Sequence, residues 1–189
     1  MSKRQLDLFG TAAAGSQSLE HGGDVRRGKR KIARPLDTKR PLHIVLRSSR
    51  AKRQLSMLHP ALAGRIQRGA RGLARRFDVR LYRYANVGNH IHLLAQARSR
   101  PAFQAFLRSF AGVTARIVTG ARRGRPVGQF WDRLAYSRVV SWGREYRTVA
   151  AYVRQNEDEA CGLRPLRPRV NRRQERAARC ENGPHGPSP

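Results

Sequence analysis

Three observations predict an α+β fold built on one antiparallel sheet. Short β-branched runs alternate with longer segments whose apolar residues recur every three or four positions. Two of the runs are separated by a turn-sized connection. The resulting order is strand, helix, strand, strand, helix, strand, followed by one more helix. That is the ferredoxin-like arrangement, in which the first and third strands lie side by side at the centre of the sheet. A chain of 189 residues fits one such domain.

The elements follow in chain order. Residues 1–38 mix Gly, Ala, Ser, Gln and basic residues without period and include Arg26-Arg27-Gly28-Lys29-Arg30-Lys31, which reads as a disordered basic arm. The folded domain is expected over residues 39–163. Leu42-His43-Ile44-Val45-Leu46-Arg47, bounded by Pro41 and Ser48-Ser49, is the first strand. Leu55, Leu58, Leu62, Ile66, Ala70, Leu73 and Phe77 make the apolar stripe of a helix, with Pro60 suited to its first turn. Residues 79–85 alternate around Leu81, Tyr82 and Tyr84, and the Asn86-Val87-Gly88 connection turns them into a hairpin with residues 89–95. Ser99 is the expected N-cap and Gly120 the expected end of a second helix carrying Phe103, Phe106, Leu107, Phe110, Thr114, Ile117 and Val118. A basic loop containing Arg123-Gly124-Arg125-Pro126, which looks like the core of a minor-groove AT-hook or is a plain basic loop, leads to a strand over residues 130–140. Ser141 is the expected cap of the last helix, whose buried stripe is Tyr146, Val149, Ala150 and Val153. Residues 164–189 hold seven Arg and two Glu with several Pro and read as a disordered basic tail.

Charge narrows the partner. The chain carries 40 Lys and Arg against 12 Asp and Glu, a net charge of +28. Residues 41–163 alone hold 23 basic and 6 acidic side chains, so the folded part is itself electropositive and a polyanion is the expected partner. Two cysteines, Cys161 and Cys180, support neither a disulfide framework nor a cysteine metal site. No apolar run approaches a membrane span and the N-terminus lacks a signal-peptide core, so the expectation is a cytoplasmic, nucleic-acid-associated protein without a membrane partner.

The candidate chemistry centres on Asn89-His90-Ile91-His92-Leu93-Leu94. Side chains alternate along a strand, so His90 and His92 share one face and present two imidazoles to one spot. On the terminal helix Tyr152 and Asn156 are spaced i, i+4 and project from one side. Asn156 could complete a ligand set with His90 and His92. Two imidazoles and an amide oxygen leave positions open for phosphate and suit Mg²⁺ or Mn²⁺. The same spacing also fits ordinary core histidines, a half-buried packing tyrosine and a helix-terminal asparagine.

These residues carry a resemblance. Gly88-Asn89-His90-Ile91-His92-Leu93-Leu94 resembles the His-hydrophobe-His signature of the HUH single-tyrosine transposases. Tyr152-Val153-Arg154-Gln155-Asn156, leading to Ala160-Cys161-Gly162-Leu163, is similar to the Tyr-x-x-x-Asn-Pro and Ala-Gly-Leu block of their REP-associated tyrosine transposase branch. An aromatic strand such as Phe130-Trp131-Asp132-Arg133 also belongs to that pattern. The resemblance implies a metal-dependent DNA strand transferase in which His90, His92 and Asn156 bind Mg²⁺ or Mn²⁺ and Tyr152 attacks the scissile phosphate. The product would be a 5′-phosphotyrosine link and a free 3′-hydroxyl. It implies single-stranded DNA beside hairpins as substrate, a monomer or homodimer, and Arg47, Arg83, Arg133, Tyr136 and Arg138 as contributors to DNA binding.

Two departures and two rivals belong beside it. Glu157 stands where the block has proline, and Glu157-Asp158-Glu159 places negative charge next to the proposed site. The disordered ends also differ from a compact family member. One rival is a domesticated, non-catalytic DNA-binding relative. The other is an RNA-binding ferredoxin-like module, which would need aromatic rings on the central strands where this chain has none on the first and His90 and His92 on the third. Tyr146 and Tyr136 are the fallback nucleophiles.

Overall fold

The computed structural model describes residues 19–25, 32–122, 124–125 and 127–163. The Arg26 to Lys31 cluster, Arg123 and Pro126 of the AT-hook-like stretch, and the tail from residue 164 lie outside the described residues.

Five strands form one antiparallel sheet: β1 (Glu20–His21), β2 (Leu42–Arg47), β3 (Val79–Asn86), β4 (His90–Ala97) and β5 (Tyr136–Val139). Their spatial order is β1-β5-β2-β4-β3. Without β1 this is the ferredoxin-like order expected from the sequence, with β2 and β4 adjacent at the centre. Both central strands are buried along nearly their whole length, because the sheet is covered on both faces. One face carries Leu42, Ile44, Leu46, Ile91, Leu93 and Ala95, packed under α1 (Pro60–Arg76) and α2 (Arg100–Thr119) through Ile66, Ala70, Phe106 and Phe110. The other face carries Ala85, Leu94 and Val140, packed under α3 (Arg144–Ala160) through Val149 and Val153.

Local chemistry sets the boundaries. The side chain of Ser99 accepts from Ala102 N at 3.2 Å, and Gly120 ends α2 in the left-handed conformation at φ 68° that glycine tolerates best. Ser99→Ala is expected to cost about 1 kcal/mol of unfolding free energy, measured by urea titration. The first helix begins at Pro60 and not at Leu55, because His59 Nδ1 caps Ala61 N at 3.3 Å and residues 53–55 form a separate 3₁₀ turn. The last helix is capped by Gly143. The Ser141 side chain does not cap it; instead the backbone N–H of Ser141 donates to Glu145 at 2.7 Å.

The β3–β4 turn fixes where the histidine strand starts. Gly88 has φ 87°, a conformation that favours glycine, and a Cβ there would sit a tight 3.1 Å from Ser56 Oγ. Asn86 Nδ2 donates to the Met57 carbonyl at 2.6 Å and Met57 N donates to Gly88 O at 2.8 Å. Together they lock the turn to the segment leading into α1.

Two further expectations need correction. Residues 130–135 are not strand: β5 is only Tyr136–Val139. Asp132 accepts from both the backbone N and the Oγ of Ser49 at 2.7 and 2.8 Å, Trp131 Nε1 donates to Ala111 O on α2 at 3.0 Å, and Gln129 Nε2 donates to Trp131 O at 2.8 Å. Side chains take up the Phe130 and Trp131 carbonyls and the Ser49 amide, which a ladder would use. Within the stretch read as a disordered arm, Glu20 and His21 are ordered as β1 and pair with Arg138 and Ser137 of β5. They cover what would otherwise be the sheet edge, and the Tyr136 hydroxyl donates to Glu20 at 3.0 Å.

Candidate nucleic-acid cleavage site

The face under α3 is the chemically unusual one. In the β2–β4 register Val45 lies opposite His92, Arg47 opposite His90 and His43 opposite Leu94, so His43, Val45 and Arg47 share a face with His90 and His92. Three imidazoles therefore meet at mid-sheet. His43 Nε2 and His92 Nδ1 are 3.1 Å apart with stacked rings at 5.4 Å and 5° between planes, and the His90 and His92 rings are 4.8 Å apart.

Val149 and Val153 seat α3 on this face, and Tyr152 follows from their docking. Its ring stands edge-on to His92 at 5.5 Å and 88°, and to His43 at 6.1 Å and 85°. Asn156, one turn on, donates from Nδ2 to the Tyr152 carbonyl at 2.7 Å. The structure thus brings His90, His92 and Tyr152 together and holds Asn156 to the backbone of the same helix. The sheet face is not an open platform of the kind an RNA-binding module of this fold would present; α3 lies across it.

The imidazoles are held neutral. Burial pushes His43 down to about 3, with Arg138 adding to the shift, and pushes His90 down to about 4, with Arg47 adding. His92 is held well below the ordinary histidine range by burial first and then by His43 and His90. A neutral imidazole is the form that ligates metal. His92 meets His43 through Nδ1, and His90 Nδ1 lies 2.6 Å from Asn89 Oδ1, so coordination by the pair would use their Nε2 atoms. Among the described residues there is no cluster of three or more His, Cys, Asp and Glu side chains placed to hold a metal. A set of His90, His92 and Asn156 would take its third donor from an amide. With Nδ2 of Asn156 already donating, its oxygen would be the atom left to ligate, and an amide oxygen suits a hard divalent ion.

The proposed DNA-contacting residues fall into different places. Arg47 stands on the imidazole face, 49% exposed and 3.9 Å from Asp132. Arg83 is exposed on β3 in register with Leu94, at the rim of that face. Arg133 lies on the other side of the molecule, paired with Asp24 at 2.7 Å. Arg138 and Tyr136 are engaged internally: the Arg138 side chain is 12% exposed and ion-paired with Glu145 at the start of α3, and Tyr136 bonds Glu20. Burial first, then Glu20, pushes the Tyr136 hydroxyl well above its ordinary value. Tyr146 belongs to an aromatic group with Tyr82 and Trp142, at ring distances of 5.7 and 4.9 Å.

The residue that sequence reasoning missed is His43. Its signal was present: the first strand's odd positions must share a face, and that strand was expected beside the histidine strand.

Residues 38–156 match the family described as Transposase IS200 like. No curated protein matches the chain. Among solved structures, one described as a REP-associated tyrosine transposase bound to a REP hairpin is similar with TM-score 0.49 and 9% identity, covering 67% of this chain and 72% of that one. A putative transposase from Deinococcus radiodurans R1 is similar with TM-score 0.42 and 18% identity, covering 68% of this chain and 98% of that one.

Proposed function

The chain belongs to the IS200-like transposase family, and from that premise we propose that it is a metal-dependent strand transferase of the REP-associated tyrosine branch, cleaving single-stranded DNA beside hairpin-forming repeats. The observation that carries the reading is the perpendicular placement of the Tyr152 ring over His92 and His43, beside His90.

Each group has a task. His90 and His92, kept neutral by burial, and the Asn156 oxygen would hold Mg²⁺ or Mn²⁺. The chemistry such an ion supplies when bound is polarisation of the scissile phosphate and stabilisation of negative charge on a phenol oxygen. Arg47 and Arg83 place positive charge on the same side of the sheet and would orient the DNA backbone. A phenol has an ordinary pKa near 10, so it needs such surroundings to act as a nucleophile at neutral pH. Tyr152 Oη forms the new bond to phosphorus as the bond from phosphorus to the 3′-oxygen breaks. The phenolic proton is matched by the one gained at the 3′-hydroxyl. The covalent link retains the phosphodiester energy, so resealing needs no ATP. His43 positions His92 through its contact with Nδ1 and need not touch DNA.

Among the described residues no helix is long and apolar enough to cross a membrane. The last turn of α3 contains no basic residue, and Glu157 stands at the position of the branch's proline. That departure favours a second reading, a non-catalytic DNA-binding relative. One experiment separates them. The protein is incubated with end-labelled single-stranded DNA carrying a hairpin, with Mn²⁺ or with EDTA, and resolved under denaturing conditions. A protein–DNA adduct that forms with Mn²⁺ and is lost in EDTA is expected. Tight binding with no adduct would establish the non-catalytic relative instead.

A further inference from the structure

On the sheet face opposite the imidazoles, a cleft of about 780 Å³ opens between α2 and residues 129–135. That volume lies in the range of small-molecule sites, about 300–1,000 Å³. Its wall is apolar, with buried Phe103, half-buried Trp131 and Leu134, the last 72% exposed although it is a large aliphatic side chain. Its rim is cationic: Arg34, Arg100, Arg108 and Arg133 all line it, and among the described residues no carboxylate does. Only Arg133 has an acidic partner, Asp24, among the described residues.

Arg34 is the informative member. Its guanidinium reaches across to Ser137 Oγ at 2.5 Å, and its carbonyl accepts from Arg100 at 2.8 Å, so two guanidinium-bearing residues are tied together at one end of the cleft. Burial pushes Arg34 down to about 10. Taking a cation out of water without a carboxylate beside it is costly, and an anion in the cleft would offset that cost.

We propose that this cleft is a second DNA contact, seating an unpaired nucleotide of the single strand with its base against Trp131 and Leu134 and its phosphate among Arg34, Arg100 and Arg108. The combination of an aromatic, apolar wall with a cationic rim is what single-stranded nucleic acid requires, base stacking joined to backbone neutralisation. Charge selects the occupant: a second copy, at net +28, and this chain's own Arg-rich tail would both be repelled. The inference rests on the single-stranded DNA reading of the protein and adds a site on the far side of the sheet from Tyr152.

The two tryptophans, Trp131 and Trp142, allow a direct test. In the full chain carrying Trp142→Phe, Trp131 emission should be quenched in proportion to binding of an oligothymidylate of about twelve nucleotides. Arg108→Glu and Leu134→Ser, both at exposed positions and checked for an unchanged thermal midpoint, should each weaken that binding about five- to tenfold, and Arg108→Glu should lower the salt slope by about one. Oligothymidylate binding with unchanged Trp131 emission would overturn the proposal. So would wild-type affinity in both variants, or a Trp131 response only to oligouridylate or to polyglutamate. A Tyr152 adduct without a Trp131 response sinks the cleft alone. A Trp131 response without an adduct sinks the transferase reading and leaves the cleft standing.

Discussion

Tyr152→Phe is expected to abolish the covalent adduct, a loss of at least about a thousandfold in strand cleavage, with DNA affinity within about twofold of wild type. The substitution is narrow because the ring carries the packing. Tyr152 meets His92 and His43 edge-on through its aromatic ring, and Phe preserves both contacts while removing the only nucleophilic atom. The measurement is a denaturing gel of labelled hairpin DNA beside an equilibrium binding curve. An adduct that survives in Tyr152→Phe would move the nucleophile elsewhere, and the structure makes the alternatives poor. The Tyr136 hydroxyl donates to Glu20 and is pushed well above its ordinary value, so its phenolate is harder to reach. Tyr146 is packed with Tyr82 and Trp142, a separate aromatic group on the same side.

What could be read from the chain depended on whether its cause was local. Ser99 and Gly120 bound α2 through contacts within a few residues, and both were legible. The hairpin before His90 was legible for the same reason, since Gly88 supplies a conformation that few other residues adopt. The central pairing of β2 with β4 followed from element order, and parity along each strand then fixed which side chains share a face. Applied to β2 as well as β4, the same parity would have found His43. The illegible features have distant causes. Two residues, Glu20 and His21, are strand only because β5 would otherwise be an edge and because Tyr136 reaches Glu20. Residues 130–135 have strand composition, but Ser49, some 80 positions earlier, captures Asp132 and bends them away. Arg138 is a nearer case: its partner Glu145 lies only seven residues on, across the turn from β5 into α3, and strand and helix periodicity do not show that turn's geometry.

The same three imidazoles predict a steep acid sensitivity. An unfolded histidine titrates near 6.5, whereas burial holds His43 at about 3 and His90 at about 4 in the folded protein, with His92 lowered as well. Above pH 6.5 both states are largely unprotonated and these groups leave stability unchanged with pH. As the pH falls below 6.5 the unfolded chain binds protons that the folded chain does not, so the unfolded state gains and stability declines. The slope is about 1.4 kcal/mol per pH unit for each histidine, and it persists until the folded values are approached. At pH 5 the loss is about 2 kcal/mol each for His43 and His90, a large share of the roughly 5–15 kcal/mol that stabilises a typical domain. Asp37, whose carboxyl is held low by the Lys39 amide and Arg40, begins to matter only as the pH falls toward the carboxylate range. Urea titrations at pH 7.5, 6 and 5 in EDTA should show the decline, and His43→Asn should reduce the slope by about one proton. Ring-proton NMR of the intact chain provides the check that survives a poorly folding variant: the resonances of His43, His90 and His92 should stay at their neutral positions across that range. A flat stability profile, or imidazoles that titrate near 6.5, would mean that the pocket under α3 is wet, and the neutral imidazole pair that the proposed cleavage chemistry requires would not be pre-organised.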